Sequence, residues 1–121
     1  MSLCLVVSGT PFVIAATMFT LSWTHSVEKV EWQERWVVEQ SGLRLVEARV
    51  KGSGAGMEPD SDAELVDGWW VYEPSLPPQK QLVLASSGKT AGGWELCAGE
   101  EKQCRTLGAE GGEPIVLRSC R

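Results

Sequence analysis

The positions of four cysteines constrain this chain more than any other feature of its sequence. Cys4 and Cys120 lie at the two ends of the chain, whereas Cys97 and Cys104 flank a short polar segment. Four cysteines allow three disulfide pairings. The pairing with a physical rationale joins Cys97 to Cys104 across a hairpin and Cys4 to Cys120 between the terminal strands. In a loop-entropy description, the end-to-end disulfide would stabilise the fold by about 4–5 kcal/mol.

Two other states of these cysteines compete with the disulfide prediction. A zinc site normally uses closely paired cysteines such as Cys-x2-Cys, and that spacing is absent from the sequence. The thiols could also be free and buried. Because disulfides persist in oxidising compartments, the favoured pairing predicts a periplasmic or extracellular protein, with or without membrane association.

Length and charge restrict the size of the fold and the kind of partner. The chain has 121 residues, and 43% of them are hydrophobic, which suits one domain over residues 1–121 with its own core. The formal net charge is −5, and the sequence contains no cluster of lysine or arginine. Because a phosphate backbone or an anionic lipid surface attracts such clusters, we expect no nucleic-acid partner.

The first 27 residues contain no acidic or basic side chain apart from one histidine, a pattern that a signal peptide or a membrane span can produce. Gly9 and Pro11 divide this region into apolar runs at residues 3–7 and 12–21. Both runs are shorter than the roughly 20 residues that cross a bilayer. A signal peptide would also begin with lysine or arginine. We therefore expect no strong membrane segment in this chain.

Alternation of apolar and polar residues predicts a protein built from β-strands. The strand-like segments are residues 3–7, 19–24, 32–38, 43–50, 65–72, 82–85, 94–97, 104–107 and 115–117. Residues 3–7 and 82–85 are continuously apolar and predict buried strands, and residues 115–117 form the last strand of the domain. Turn signals recur at roughly ten-residue intervals. We predict an all-β fold, a small antiparallel sandwich or barrel, with one short helical turn at residues 61–64.

His25 is the only histidine in the chain, and it precedes Ser26 and Glu28, with Glu34 further along. Imidazole and carboxylate groups bind metal ions and transfer protons, so these residues are candidates for a metal or small-anion site. On an extended strand, however, His25 and Glu28 point to opposite faces, so a shared site requires a turn between them. The structural alternative is a histidine that donates to a backbone carbonyl at a strand end.

A hydrolase is the second alternative function, because Ser26 directly follows His25. Adjacent residues on a strand face opposite sides, so these two would not form a nucleophile–base pair. The sequence also lacks the Gly-x-Ser-x-Gly motif of many serine hydrolases. The sequence therefore favours a non-enzymatic protein, and it indicates no catalytic residue and no cofactor.

A glycine-rich loop places Gly52, Gly54 and Gly56 just before Glu58. This spacing fits neither the dinucleotide-binding motif nor the Walker phosphate loop, and Glu58 would repel phosphate. The glycines indicate a sharp bend that lets the backbone approach another element closely. Such a bend could also present backbone N–H groups to a small anion.

Trp69 and Trp70 are neighbours in a predicted strand, so their rings point to opposite faces. Most of the six tryptophans in this small chain should be in the core. One ring of the neighbouring pair must therefore face outward or into a cleft, and flat aromatic rings bind small ligands well. We include Trp70 among the candidate ligand residues.

Several segments together resemble one bacterial family. The similar segments are residues 19–28, 32–34, 52–58 and 67–70, with Cys97 and Cys104. The chain thereby resembles the family catalogued as domain of unknown function 1850. Its members are often encoded beside tripartite ATP-independent periplasmic transporters of the TAXI type. The resemblance implies an extracytoplasmic role associated with uptake, and it implies no particular activity.

These observations predict a non-enzymatic extracytoplasmic accessory or binding domain, whose partners are transporter components or a small ligand. The candidate ligand residues are His25, Ser26, Glu28, Glu34, Gly52, Gly54, Gly56, Glu58 and Trp70. We also expect His25 to lie near Gly54.

Overall fold

The computed structural model describes residues 1–24, 30–51, 63–85, 93–99, 103–108 and 112–120. All regular secondary structure in these ranges is β-strand. The strands are β1 (Ser2–Val7), β2 (Thr10–Ile14), β3 (Met18–Thr24), β4 (Glu31–Glu39), β5 (Gly42–Lys51), β6 (Glu64–Val66), β7 (Trp69–Tyr72), β8 (Gln81–Leu84), β9 (Trp94–Ala98), β10 (Gln103–Leu107) and β11 (Ile115–Cys120). None of the described ranges holds a helix that is long and apolar enough to cross a membrane.

The strands form two antiparallel sheets that pack against each other as a sandwich. The four-stranded sheet has the order β2-β1-β11-β8. The seven-stranded sheet has the order β10-β9-β3-β4-β5-β7-β6. The predicted all-β fold is therefore confirmed, and of the two predicted architectures the sandwich is the correct one.

The core lies between the two sheets and consists of alternate residues of the strands, as the two-residue period predicts. Its largest fully buried side chains are Leu3, Leu5, Phe19, Leu21, Leu43, Leu96, Ile115 and Leu117. These side chains come from both sheets and from both ends of the chain. The core therefore forms only when β1 pairs with β11 and brings the two ends of the chain together.

Both predicted disulfides are present. Cys4 is bonded to Cys120 across 116 residues, and Cys97 is bonded to Cys104 across 7 residues. The first disulfide joins β1 to β11, and the second joins directly opposed positions of the β9–β10 hairpin. All four cysteines lie in the described ranges and none is free, so the zinc and free-thiol alternatives are wrong.

The prediction of a single strand at residues 65–72 is wrong. The chain instead forms β6 and β7, joined at Asp67 and Gly68, whose φ angles are +51° and +84°. An aspartate–glycine pair readily adopts two successive positive φ angles, which a tight hairpin turn requires. Of the helical turn predicted just before this hairpin, only Ala63 and Glu64 lie in the described residues, and Glu64 begins β6.

A second tight hairpin produces β2, a strand that the sequence pattern did not predict. Ser8 and Gly9 have φ angles of +51° and +77° and return the chain from β1 into β2. Pro11 lies within β2 and cannot donate a backbone hydrogen bond. It is tolerated because β2 is an edge strand.

The runs predicted as fully buried strands are buried on one face only. Val6, Val116 and Val83 lie side by side across three strands of the four-stranded sheet. They point away from the core, and the Val83 side chain is 56% exposed. The prediction was wrong for Val6 and Val83, because the second sheet covers only the inner face of the four-stranded sheet.

A backbone bridge holds the segment before β8 against the start of β5. Leu43 N donates to Gln79 O at 2.8 Å, and Gln79 N donates to Leu43 O at 2.7 Å. Gly42 permits this approach, because a Cβ at that position would overlap the Gln79 carbonyl oxygen and its φ is +139°. Since β8 belongs to the four-stranded sheet and β5 to the seven-stranded sheet, the bridge also links the two sheets.

Candidate functional site

Two tryptophans lie on either side of one buried valine on the inner face of the seven-stranded sheet. Trp32 of β4 is opposite Val50 of β5, and Val50 is opposite Trp70 of β7. Val50 is 5% exposed, yet it lies outside the main hydrophobic cluster between the sheets. The three residues form a row in which two large rings flank a smaller side chain.

A second row follows two residues along the same strands, so its side chains share the face of the first row. In this row Glu34 of β4 is opposite Ala48 of β5, and Ala48 is opposite Tyr72 of β7. Ala48 is 2% exposed and also lies outside the main cluster. We call the six residues of both rows the Val50 site: Trp32, Val50, Trp70, Glu34, Ala48 and Tyr72.

Trp32 and Trp70 bury indole N–H groups for which the described residues provide no acceptor. The Nε1 atoms of both side chains are buried, and neither has a hydrogen-bond partner among the described residues. Leaving a buried donor unsatisfied costs about 1–3 kcal/mol, and native structures contain few such groups. The two indole donors lie on one face of the sheet with a single strand between them. This arrangement indicates a candidate binding site for a molecule that carries hydrogen-bond acceptors.

Two other tryptophans on this face do have acceptors. Trp36 Nε1 donates to Glu34 Oε1 at 3.2 Å, and Trp94 Nε1 donates to the Ala85 carbonyl at 2.9 Å. The unsatisfied groups are therefore not a general property of the tryptophans of this sheet. They are confined to the two rings that flank Val50.

Aromatic contacts hold the Trp32 ring in place. Trp23 stacks on Trp32 with ring centroids 6.1 Å apart and an interplanar angle of 4°. Trp23 also contacts Trp94 at 4.8 Å with the rings tilted by 49°. Because the ring is fixed on one side, the direction of the Trp32 N–H bond is set before any ligand arrives, which reduces the entropy lost on binding.

Glu34 is an acidic side chain that faces the core side of its sheet. Its neighbours on the adjacent strands are Leu21 and Ala48, both of them buried. Burial raises the pKa of Glu34, and the hydrogen bond from Trp36 opposes this effect without overcoming it. A carboxyl group with a raised pKa is protonated more easily, so it can donate as well as accept a hydrogen bond.

The structure brings together two of the predicted ligand residues, Glu34 and Trp70, which both belong to the Val50 site. Trp69 points to the opposite face, as predicted, where the Lys51 ammonium lies 5.4 Å from its ring. The remaining candidates are outside the described residues: His25, Ser26, Glu28, Gly52, Gly54, Gly56 and Glu58. The hydrolase alternative is therefore untested.

The expected closeness of His25 and Gly54 stays a prediction. Strand β3 ends at Thr24, which is opposite Glu31, the first residue of β4. Strand β5 ends at Lys51, one residue beyond the Val50–Trp32 pair. Both strands therefore end at the same end of the sheet, next to the Trp32–Val50–Trp70 row.

The described residues offer no metal centre. They contain one group of potential ligands, Glu95 with Cys97 and Cys104, whose ligand atoms lie within 4.8 Å of one another. The two sulfur atoms are bonded to each other, so they cannot coordinate a metal as thiolates. Metal binding through His25 stays a prediction.

The outer face of the seven-stranded sheet has a hollow of about 150 Å³ beside two arginines. Arg35 Nη2 lies 2.8 Å from Glu47 Oε2, and Arg49 Nε lies 2.6 Å from Glu47 Oε1. The Glu47 carboxylate already accepts from both guanidinium groups. This hollow therefore gives no specific reason to expect a bound anion.

The fold and the site together define a disulfide-linked β-sandwich with a candidate ligand site on its larger sheet. Residues 19–104 match the family described as Domain of unknown function (DUF1850). The chain therefore belongs to this family, as its sequence segments indicated, and the matched region contains the whole Val50 site. Comparisons with curated proteins and with solved structures found no match.

Proposed function

We propose that this protein is a non-enzymatic, extracytoplasmic domain that binds a small organic acid at the Val50 site. The observation that carries the proposal is the pair of buried indole N–H groups of Trp32 and Trp70, neither of which has an acceptor in the described part of the chain. Donors of this kind complement acceptor oxygens, and a carboxylate supplies two of them on one group.

The other members of the site suit the same ligand. Ala48 and Val50 are small, buried apolar side chains between larger ones, so the carbon skeleton of a ligand that enters the site would lie against them. Burial raises the pKa of Glu34, which lowers the cost of protonating this carboxyl group when a ligand carboxylate binds beside it. Once protonated, it would donate a hydrogen bond to the ligand instead of repelling it. Mostly apolar walls with a few convergent polar groups are typical of small-molecule sites.

The two disulfides support an extracytoplasmic location, because disulfides persist in oxidising compartments. The resemblance to proteins encoded beside TAXI-type transporters supports an accessory role in solute uptake. In this proposal the domain binds a small solute outside the cytoplasm and has transporter components as its partners.

Binding can be tested by calorimetric titration of the intact, oxidised protein with a panel of small carboxylates, including acetate, succinate, glutamate and benzoate. We expect at least one acid to bind, and its amide analogue to bind more weakly. Trp32→Phe and Trp70→Phe remove one donor each while keeping an aromatic ring, and each should weaken binding about tenfold, the value of one hydrogen bond to a charged group.

Trp69→Phe is the matched control, because Trp69 is adjacent to Trp70 in sequence but faces the other side of the sheet. This variant should bind like the wild type. A panel in which no acid binds would contradict the proposal. An equal loss of affinity in Trp69→Phe and Trp70→Phe would also contradict the proposal.

A further inference from the structure

We infer that the protein has a second binding site, a groove that takes an anionic amphiphile, meaning a hydrocarbon chain that ends in a carboxylate. The groove has a volume of about 770 Å³ and is lined by residues of β2 and β10. These are the edge strands of the four-stranded and the seven-stranded sheet, respectively. The groove shares no residue with the Val50 site, so the inference goes beyond the proposed function.

Most side chains that line the groove are apolar, and the large ones among them include three that are exposed. Val13 is 66% exposed, Met18 is 45% exposed and Met1 is 44% exposed. Methionine side chains are flexible and adapt to irregular apolar partners. The volume also falls within the roughly 300–1,000 Å³ that is usual for small-molecule sites. The walls therefore suit a hydrocarbon chain.

Arg105 is the positively charged residue among the described residues that line the groove. It lies on β10 opposite Leu96, which is completely buried, so its side chain is on the inner face of the sheet. Among the residues that the structure describes, no acidic side chain lines the groove and none forms an ion pair with Arg105. A ligand carboxylate would supply the missing partner, and arginine binds carboxylates through two parallel hydrogen bonds.

A purely structural role for Arg105 is the competing explanation. Charged side chains that point inward on an edge strand prevent edge-to-edge aggregation. A charge of either sign at residue 105 would serve that role, and the groove would have no part in it. If Arg105 instead binds a ligand, the sign of the charge at residue 105 determines which amphiphile the groove binds.

The test is a ¹H–¹⁵N NMR titration of the intact protein with sodium decanoate below its critical micelle concentration. We expect saturable shifts of the amides of Ala16, Met18 and Gly99, which line the groove. Octanoate should bind about tenfold more weakly, because it buries two methylene groups fewer. Decyltrimethylammonium has a similar chain and the opposite charge, and should bind more weakly than decanoate.

Arg105→Gln should weaken decanoate binding at least severalfold, and Arg105→Glu should bind decyltrimethylammonium better than decanoate. Arg118→Gln is the control, because Arg118 pairs with Cys4 and Gln81 on the four-stranded sheet and does not line the groove. It should bind decanoate like the wild type.

Three results would overturn the inference. The first is the absence of saturable shifts, or shifts that begin only at micellar concentrations. The second is equal binding of decanoate by the wild type and Arg105→Gln, which would show that Arg105 only prevents edge-to-edge aggregation. The third is a decanoate response confined to the Trp32 and Trp70 indoles, which would assign the acid to the Val50 site.

Discussion

Trp36 donates its indole N–H to the Glu34 carboxylate at 3.2 Å, and the two side chains face the same side of β4. The bond connects the main core, to which Trp36 belongs, with the Val50 site, to which Glu34 belongs. It also lowers the pKa of Glu34, whereas burial raises it. The state of this carboxyl group is therefore set by two opposing effects that can be separated by substitution.

Replacing Trp36 with phenylalanine should raise the pKa of Glu34 further. The variant keeps an aromatic ring against Phe19, on which Trp36 stacks, but removes the N–H donor that favours the ionised form. The pKa can be followed by ¹³C NMR of the carboxyl group. Trp94→Phe is the control, because that indole donates to Ala85. A Glu34 pKa that is equal in the wild type and Trp36→Phe would contradict this prediction.

Replacing Glu34 with glutamine should stabilise the protein relative to the wild type as the pH rises. The pKa of Glu34 in the folded protein is above its ordinary value of 4.5, so folding favours the protonated form. This contribution to stability is complete below pH 4.5 and is lost as the pH rises through the folded pKa. Glutamine does not ionise, so the variant does not lose stability in this way as the pH rises.

Thermal denaturation between pH 4 and pH 8 measures this difference. The melting temperature of Glu34→Gln minus that of the wild type should increase with pH and then level off. A difference that stays constant over the whole range would show that burial does not disfavour ionisation of Glu34. A difference that falls with pH would show that the environment favours the carboxylate.

The two disulfides should contribute unequally to stability. The Cys4–Cys120 disulfide closes a far longer loop than the Cys97–Cys104 disulfide, with sequence separations of 116 and 7. In the loop-entropy description, their removal costs about 4–5 and about 2–3 kcal/mol, respectively. Chemical denaturation of the two double-alanine variants checks the order. A larger loss for the hairpin disulfide would contradict it.

Replacing Gly42 with alanine should destabilise the protein by about 1–3 kcal/mol. The added Cβ would overlap the Gln79 carbonyl oxygen at a φ of +139° and push apart the backbone bridge between the two sheets. Gly9→Ala is the matched control, because Gly9 also has a positive φ, +77°, but an added Cβ meets nothing there. Equal melting temperatures for the two variants would contradict the prediction.

Sequence patterns alone predicted the features that depend on local periodicity. Residues 32–38 were predicted as one strand, and within a strand alternate residues share a face, so Trp32, Glu34 and Trp36 lie on one face of β4. The Cys97–Cys104 pairing also followed from a local argument about a hairpin. The Cys4–Cys120 pairing followed from the positions of the two cysteines at the chain ends.

The Val50 site could not be predicted in the same way, because it depends on the order of strands in the sheet. The turn at Asp67 and Gly68 divides one predicted strand into two and places Trp70 beside Val50. The Asp-Gly pair was a usable signal, since it is a strong hairpin indicator. No sequence pattern indicates that the Trp32 and Trp70 indole N–H groups are buried without an acceptor among the described residues, because this depends on the three-dimensional fold.

Binding at the Val50 site requires a ligand to reach the indole N–H groups of Trp32 and Trp70, for which the described residues provide no acceptor. The most direct measurement is a ¹H–¹⁵N titration of the six tryptophan indole resonances with the tightest-binding small carboxylate, each resonance being assigned by tryptophan-to-phenylalanine substitution. We expect large downfield shifts of the Trp32 and Trp70 N–H protons, while the N–H resonances of Trp69 and Trp94 stay nearly constant. Shifts of Trp69 or Trp94 without those of Trp32 and Trp70 would contradict binding at the Val50 site.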